Sequence, residues 1–235
     1  VFRRLSQLDD IRGSLPRNGS YGQRNWSQIN GIARHHSATT SGDAFTFADW
    51  HVTNPSGNRW PGVGYHFVIT RDGTIQWSNS VNRISYHVGN NNSRIIGICL
   101  VGNGSFTDAQ EQSWIELVRA LRNSDGLNIS IENIKGHNEY PGHAWNQCPG
   151  INMDTVRSRI RNSPEIKSSK EGPRMWEPTS RSIKDGAVKA MEEMTDKDKY
   201  GNAAIGQDWV DKAKDGELTL DDAAALGMYI ARHSR

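Results

Sequence analysis

RIIGICLVG, residues 94–102, holds an apolar run with no polar residue between Arg94 and the glycine at its end. A run this short and continuous reads as a β-strand buried on both faces, which needs a layer of structure on each side. Working outward, TDAQEQSWIELVRALRNSDG (107–126) is the strongest helix in the chain. Thr107 is placed to cap it, and Trp114, Leu117, Val118 and Leu121 follow helical spacing. ISIENIKGHNEY (129–140) then reads as another strand, and MDTVRSRIRNS (153–163) as a closing helix. On the other side, GYHFVIT (64–70) and TIQWSN (74–79) flank the turn signal RDG and form a hairpin. FTFADWHVTN (45–54) reads as a helix capped by Thr46, and INGIARHHS (29–37) as a strand entering a loop. LSQLDDIRGSLP (5–16) reads as a short amphipathic helix closed by Gly13 and Pro16. Strands interleaved with helices imply an α/β domain, a mixed central sheet flanked by helices.

The chain has 235 residues, 35% of them hydrophobic, and a mean hydropathy of −0.71. No stretch approaches the ~18 apolar residues of a membrane span, so no membrane partner is expected. Charge is uneven. Residues 1–164 carry 16 Lys+Arg against 12 Asp+Glu, nearly all of the basic ones arginine, whereas residues 179–235 carry 9 against 11 and favour lysine. The change in basic-residue usage suggests two modules, over 1–162 and 179–235, joined by the Ser-, Pro- and charge-rich linker 163–178. A net +4 on the first module is too weak for a nucleic-acid footprint. It suits work near an anionic polymer.

The second module reads as a small all-α bundle. Ile183, Ala187, Ala190, Met191 and Met194 form one stripe, QDWVDKAK follows, and Thr219 caps a last helix. Asp211, Asp215, Gly216 and Asp222 fall at offsets like those of a calcium loop, but Ala213 interrupts them and an aspartate stands in the final glutamate's place.

Two cysteines, Cys99 and Cys148, are too few for a disulfide scaffold. Cys148 has another use. His35 stands at the end of one expected strand and His137 at the end of another, and two imidazoles with a thiolate are good ligands for zinc (Zn2+). Three protein ligands leave the fourth tetrahedral position open, as in a catalytic site, and no CxxC pair exists to close it. Ordinary loop and core residues are the other reading of so scattered a set. His143, between His137 and Cys148, competes with His137, which is preferred because a strand end holds a ligand better than the turn around Pro141 and Gly142.

Four motifs in order, ARHHSATT (33–40), GVGYHFVITRDGTI (62–75), IIGICLVGN (95–103) and GHNEYPGHAWNQCPG (136–150), resemble type-2 N-acetylmuramoyl-L-alanine amidases. That family includes phage lysins and the peptidoglycan recognition proteins, and the resemblance covers roughly residues 10–162. It implies zinc on His35, His137 and Cys148, a tyrosine beside the metal at Tyr65, and an open groove above a mixed sheet. His36 is expected to turn away from the metal, to packing or to the substrate; His66 to lie in the core; and His87 to border the substrate groove. Recycling enzymes of the family carry a glutamate where this chain has Cys99, and lysins often carry a lysine where it has Asn146. Asn146 is therefore a candidate oxyanion donor. The general base is left open, with Glu139 a candidate if its strand continues, or else a carboxylate that orients a ligand histidine.

The implied activity is a phage endolysin's cleavage of the lactyl–L-alanine amide of peptidoglycan, with the C-terminal module binding a wall polymer. A non-catalytic recognition protein and a bacterial autolysin are the alternatives, the first disfavoured by the presence of Cys148. VFRRLSQLDDIRG has no apolar core before a cleavage site, so the expectation is a chain held in the host cytoplasm until release to the wall.

Overall fold

A computed structural model describes residues 2–163, except 55, 56, 58, 123, 125 and 126, together with 188–189, 191–192 and 207–215. The chain divides into two compact units, Val1–Lys170 and Glu171–Arg235.

The first unit is built on six strands: β1 (Leu8–Asp10), β2 (Gly31–His36), β3 (Phe67–Ile69), β4 (Ile75–Trp77), β5 (Ile95–Leu100) and β6 (Ile134–Gly136). They lie in the order β1-β4-β3-β5-β2-β6, and only the β3–β4 hairpin is antiparallel. β5 is buried along its whole length, as its unbroken apolar run demands. Helices α2 (Asp108–Arg122) and α3 (Met153–Asn162) cover one face. There Ile32, Ile96, Ile98 and Leu100 meet Trp114, Leu117, Leu121 and Val156. Trp114 and Leu117 are fully buried, and truncating a Leu in such a setting costs about 2–5 kcal/mol. The other face holds Val68, Cys99 and Val101 against Ala44 and Ala48 of α1 (Ala44–Thr53). That thinner layer leaves room for a pocket.

The alternation of side chains along β2 decides what reaches which face. Arg34 points to α2, where its Nη1 and Nη2 donate to the two Glu111 oxygens at 3.0 and 2.5 Å, between the rings of Phe106 and Trp114. Ala33 and His35 point to the α1 face.

Three local expectations need correction. Residues 5–16 are not a helix: a 3-10 turn at Phe2–Arg4 leads into β1. Leu8–Asp10 pairs with Ile75–Trp77, and Arg12, clamped by Asp10, lies 3.4 Å over the Trp77 ring. Edge pairing outweighs a helix too short to pay for its own nucleation. The cap of α1 is Asp43, whose carboxylate accepts from the Thr46 amide and hydroxyl. Finally, β6 stops at Gly136, and His137–Glu139 turns into a 3-10 helix. Thr107 does cap α2, accepting from the Gln110 amide at 3.1 Å.

In the second unit the longest described element is α4 (Gln207–Lys214), where Val210 and Ala213 are buried and Lys214 pairs with Glu192 at 2.5 Å. Asp211 lies inside this helix, buried, and its carbonyl accepts from the Asp215 amide. A calcium loop cannot begin at that position. The expected linker and the helices around 183 and 219 lie outside the described residues, apart from helical pieces at 188–189 and 191–192. Among the described residues no helix is long and apolar enough to cross a membrane.

Candidate metal centre

Parallel β2 and β5 run side by side to the same end of the sheet, with His35 opposite Cys99 in register. β6 flanks β2 on its other edge and delivers His137 one residue past its last pairing. The loop after it folds back, so that Asn138 donates its amide to the Cys148 carbonyl at 2.9 Å. Gly136 permits this return, since a Cβ there would meet Pro149 Cδ at 2.6 Å. His35, His137 and Cys148 thereby present one ligand atom each, all within 4.8 Å of one another; among the described residues this is the one such group.

The donor set fits a single zinc ion. His35 Nδ1 lies 3.6 Å from Cys148 Sγ. Tetrahedral bonds of about 2.0–2.1 Å to nitrogen and 2.3 Å to sulfur put such a pair about 3.6 Å apart. Burial, then neighbouring imidazoles, hold His35 far below the usual histidine range, and burial and His143 bring His137 to about 4. Both rings are neutral at physiological pH, the form that ligates. Burial pushes the Cys148 thiol up to about 11, partly offset by the His36 amide, which donates to Sγ at 3.3 Å. A cation must displace that thiol proton, so metal uptake here is proton-coupled.

The adjacent histidines of ARHHS thus divide their labour. His35 supplies an imidazole, and His36 supplies a backbone N–H to the cysteine. The His36 ring turns to the opposite side of β2, where its buried Nδ1 has no hydrogen-bond partner among the described residues.

Other expectations fare differently. Tyr65 packs 5.3 Å from His35, ring to ring. Burial and the sulfurs of Cys99 and Cys148 raise its hydroxyl well above the ordinary value, so it remains a proton donor. His66 is a core residue, 0% exposed, with its Nδ1 accepting from the Gly97 amide at 3.0 Å. His87 is not on a groove surface: it is 8% exposed, with Nδ1 3.1 Å from His35 Nε2 and Nε2 3.2 Å from the Ile95 carbonyl. Asn146 is tied into the ligand loop at both ends, its Nδ2 donating to the His143 carbonyl and its Oδ1 accepting from the Cys148 amide. Glu139 is held by Arg157 at 2.8 and 2.9 Å and accepts from the Gly136 amide, so it does not face the cluster. The ending of β6 at Gly136 removes the strand parity that would have turned it there. His143 is not among the clustered ligand atoms; its Nδ1 lies 3.0 Å from His137 Nε2 and its Nε2 2.9 Å from the Gly89 carbonyl.

Beside Tyr65 opens a pocket of about 350 Å³ lined by Ser37, Thr39, Thr46, Phe47, Trp50 and His51, among others. Its aromatic wall is on α1, with Trp50 57% exposed; the sequence puts the aromatic residues of FTFADWHVTN on one side of that helix without assigning them to a site. The helical spacing of Phe47, Trp50 and His51 carried the signal. Sequence reading missed Arg24, buried without a carboxylate among its hydrogen-bond partners. It donates to the carbonyls of Val81, Asn92 and Ile95, and burial brings its pKa down to about 9.

Residues 25–151, more than half of the chain, match the family described as N-acetylmuramoyl-L-alanine amidase. The endolysin of Klebsiella phage KP32 is 38% identical over 71 residues, 27% of this chain and 47% of that protein. Peptidoglycan-recognition protein SC1a of Drosophila melanogaster is 33% identical over 101 residues, 39% of this chain and 54% of that protein. The chain thus spans about half the length of the curated relatives it matches. Among solved structures, the endolysin amidase LysCS from Clostridium intestinale URNW shares the fold at a TM-score of 0.54 and 23% identity, over 67% of this chain and 97% of that one. On the family match, with four ordered motifs and the fold in agreement, the chain belongs to the N-acetylmuramoyl-L-alanine amidase family.

Proposed function

We propose that this chain is a zinc-dependent phage endolysin that hydrolyses the amide between the lactyl group of N-acetylmuramic acid and L-alanine in peptidoglycan. The observation that carries the reading is the His35–His137–Cys148 cluster, of zinc-binding dimensions, beside Tyr65 at the edge of an open pocket. When bound there, zinc supplies Lewis acidity toward a carbonyl oxygen and toward water. Tyr65, kept protonated by burial, donates to the oxygen on which negative charge develops during attack on the amide. Phe47, Trp50 and His51 offer flat faces to the substrate, and Ser37, Thr39 and Thr46 offer hydroxyls. Asn146 serves by holding the Cys148 amide, and Glu139 by fixing the turn after β6 through Arg157.

The protein waits in the host cytoplasm, reaches the wall at the end of infection, and binds a wall polymer through residues 179–235. A fluorescent protein fused to those residues tests the last point; failure to bind susceptible walls would end the targeting role. Mass spectrometry of digested walls tests the reaction. New free amino termini on L-alanine without new reducing sugars are expected, and new reducing ends with intact amides would assign the chain to a different bond.

A further inference from the structure

Each ligand histidine is backed by a second histidine, and each of those by a backbone carbonyl. Ile95 O lies 3.2 Å from His87 Nε2, and Gly89 O lies 2.9 Å from His143 Nε2. A carbonyl only accepts, so both outer imidazoles carry a proton on Nε2, and a ring with one proton then has Nδ1 bare. His87 Nδ1 is 3.1 Å from His35 Nε2, and His143 Nδ1 is 3.0 Å from His137 Nε2. Bare acceptors at those distances require His35 and His137 to donate from Nε2. Their own Nδ1 atoms are left as the bare nitrogens, and His35 Nδ1 is the atom that faces Cys148 Sγ.

We propose that His87 and His143 are a matched pair of positioning residues that lock both ligand imidazoles as Nε2–H tautomers, so that His35 and His137 take the metal through Nδ1. Ligand histidines generally need an outer acceptor to fix tautomer and ring angle, usually a carboxylate, a carbonyl or water. Here an imidazole stands in its place on both sides, and both chains end on carbonyls of one short stretch, Gly89 and the first residue of β5, Ile95. The lock is set before metal arrives. It adds no negative charge to the centre, whereas a carboxylate would. The chain is built to keep it: a Cβ at Gly97 would come within 2.6–2.7 Å of three His87 ring atoms, so only glycine lets that ring sit against β5.

The assignment rests on the metal reading but not on the identity of the substrate. Long-range proton–nitrogen NMR of 15N-histidine-labelled protein reads the tautomers directly, with and without zinc. In the metal-free protein at neutral pH, His35 and His137 are expected to show a proton on Nε2; on adding zinc, Nδ1 of both shifts as a metal ligand. Zinc affinity, measured by chelator competition, is expected to fall about ten- to a hundredfold in His143→Ala. His143→Asn should recover most of the loss, because an amide oxygen can replace Nδ1 as acceptor. Gly97→Ala, which displaces the His87 ring without removing it, should lose affinity comparably. Zinc carried on Nε2 of either ligand, or unchanged affinity in His143→Ala, overturns the assignment alone. Wild-type protein that takes up no zinc overturns both the assignment and the amidase reading.

Discussion

The two sides of the metal centre are built to different standards. His35 sits in the second strand of a six-stranded sheet, 2% exposed, and its partner His87 is nearly as deep. His137 and Cys148 bracket a surface loop whose Trp145 is 80% exposed, and that loop is held by Asn146, a returning Asn138 amide and one reach from His143 to Gly89. Similar hydrogen-bond chemistry thus appears once inside a packed core and once at the rim. The difference teaches where each part draws its rigidity: the floor from packing, the rim from a few polar contacts.

The largest expected effect separates the two sides. His35→Ala and Cys148→Ala should each reduce zinc from about one per chain to none and abolish wall lysis. In metal-free protein, however, His35→Ala should lower unfolding free energy by about 1–3 kcal/mol by stranding a buried polar partner, while Cys148→Ala stays within about 1 kcal/mol. Equal destabilisation in denaturant titrations would erase the contrast. Next, Tyr65→Phe should keep zinc and lose on the order of a hundredfold in rate, the loss of one oxyanion donor. An unchanged rate on soluble muropeptide would reduce Tyr65 to packing.

Acid should probe the buried side. Burial, with Arg24 second, depresses His66 to about 3, against about 6.5 in an unfolded chain. The unfolded state therefore binds protons that the fold refuses. This contribution is complete above about pH 6.5 and is lost as pH falls toward the folded value, at about 1.4 kcal/mol per pH unit. Chelator-treated protein should show its denaturation midpoint falling from pH 6.5 downward; a flat profile to pH 5 would mean that the histidine core opens before it titrates. The smallest effect belongs to Glu139→Gln, which weakens a partly exposed pair with Arg157 by about 1 kcal/mol or less and leaves rate within a few-fold. A large fall in rate with zinc retained would instead restore Glu139 as general base.

Long elements with one strong pattern were legible in the sequence: β5 from its apolar run, α2 from its helical stripe, the β3–β4 hairpin from RDG. The ligand trio is legible only through the resemblance of its motifs; by spacing alone, scattered loop and core residues are an equal reading. What escaped depends on contacts distant in sequence. β1 exists because Leu8–Asp10 meets Ile75–Trp77, and nothing in LSQLDDIRG announces that edge. The His87 and His143 roles follow from carbonyls at Ile95 and Gly89, groups that every residue carries and that no motif can mark. The sequence leaves Glu139 open between two roles, because a strand's end is invisible when the next residues remain compatible with it.

Helix α1 is anchored by two alanines, Ala44 and Ala48, and by its Asp43 cap, while Phe47, Trp50 and His51 line the pocket. None of these supplies a metal ligand. The pocket wall and the candidate metal ligands are therefore inherited on separate pieces of chain. Selection can redraw the first, one exposed aromatic at a time, while the second stays as it is.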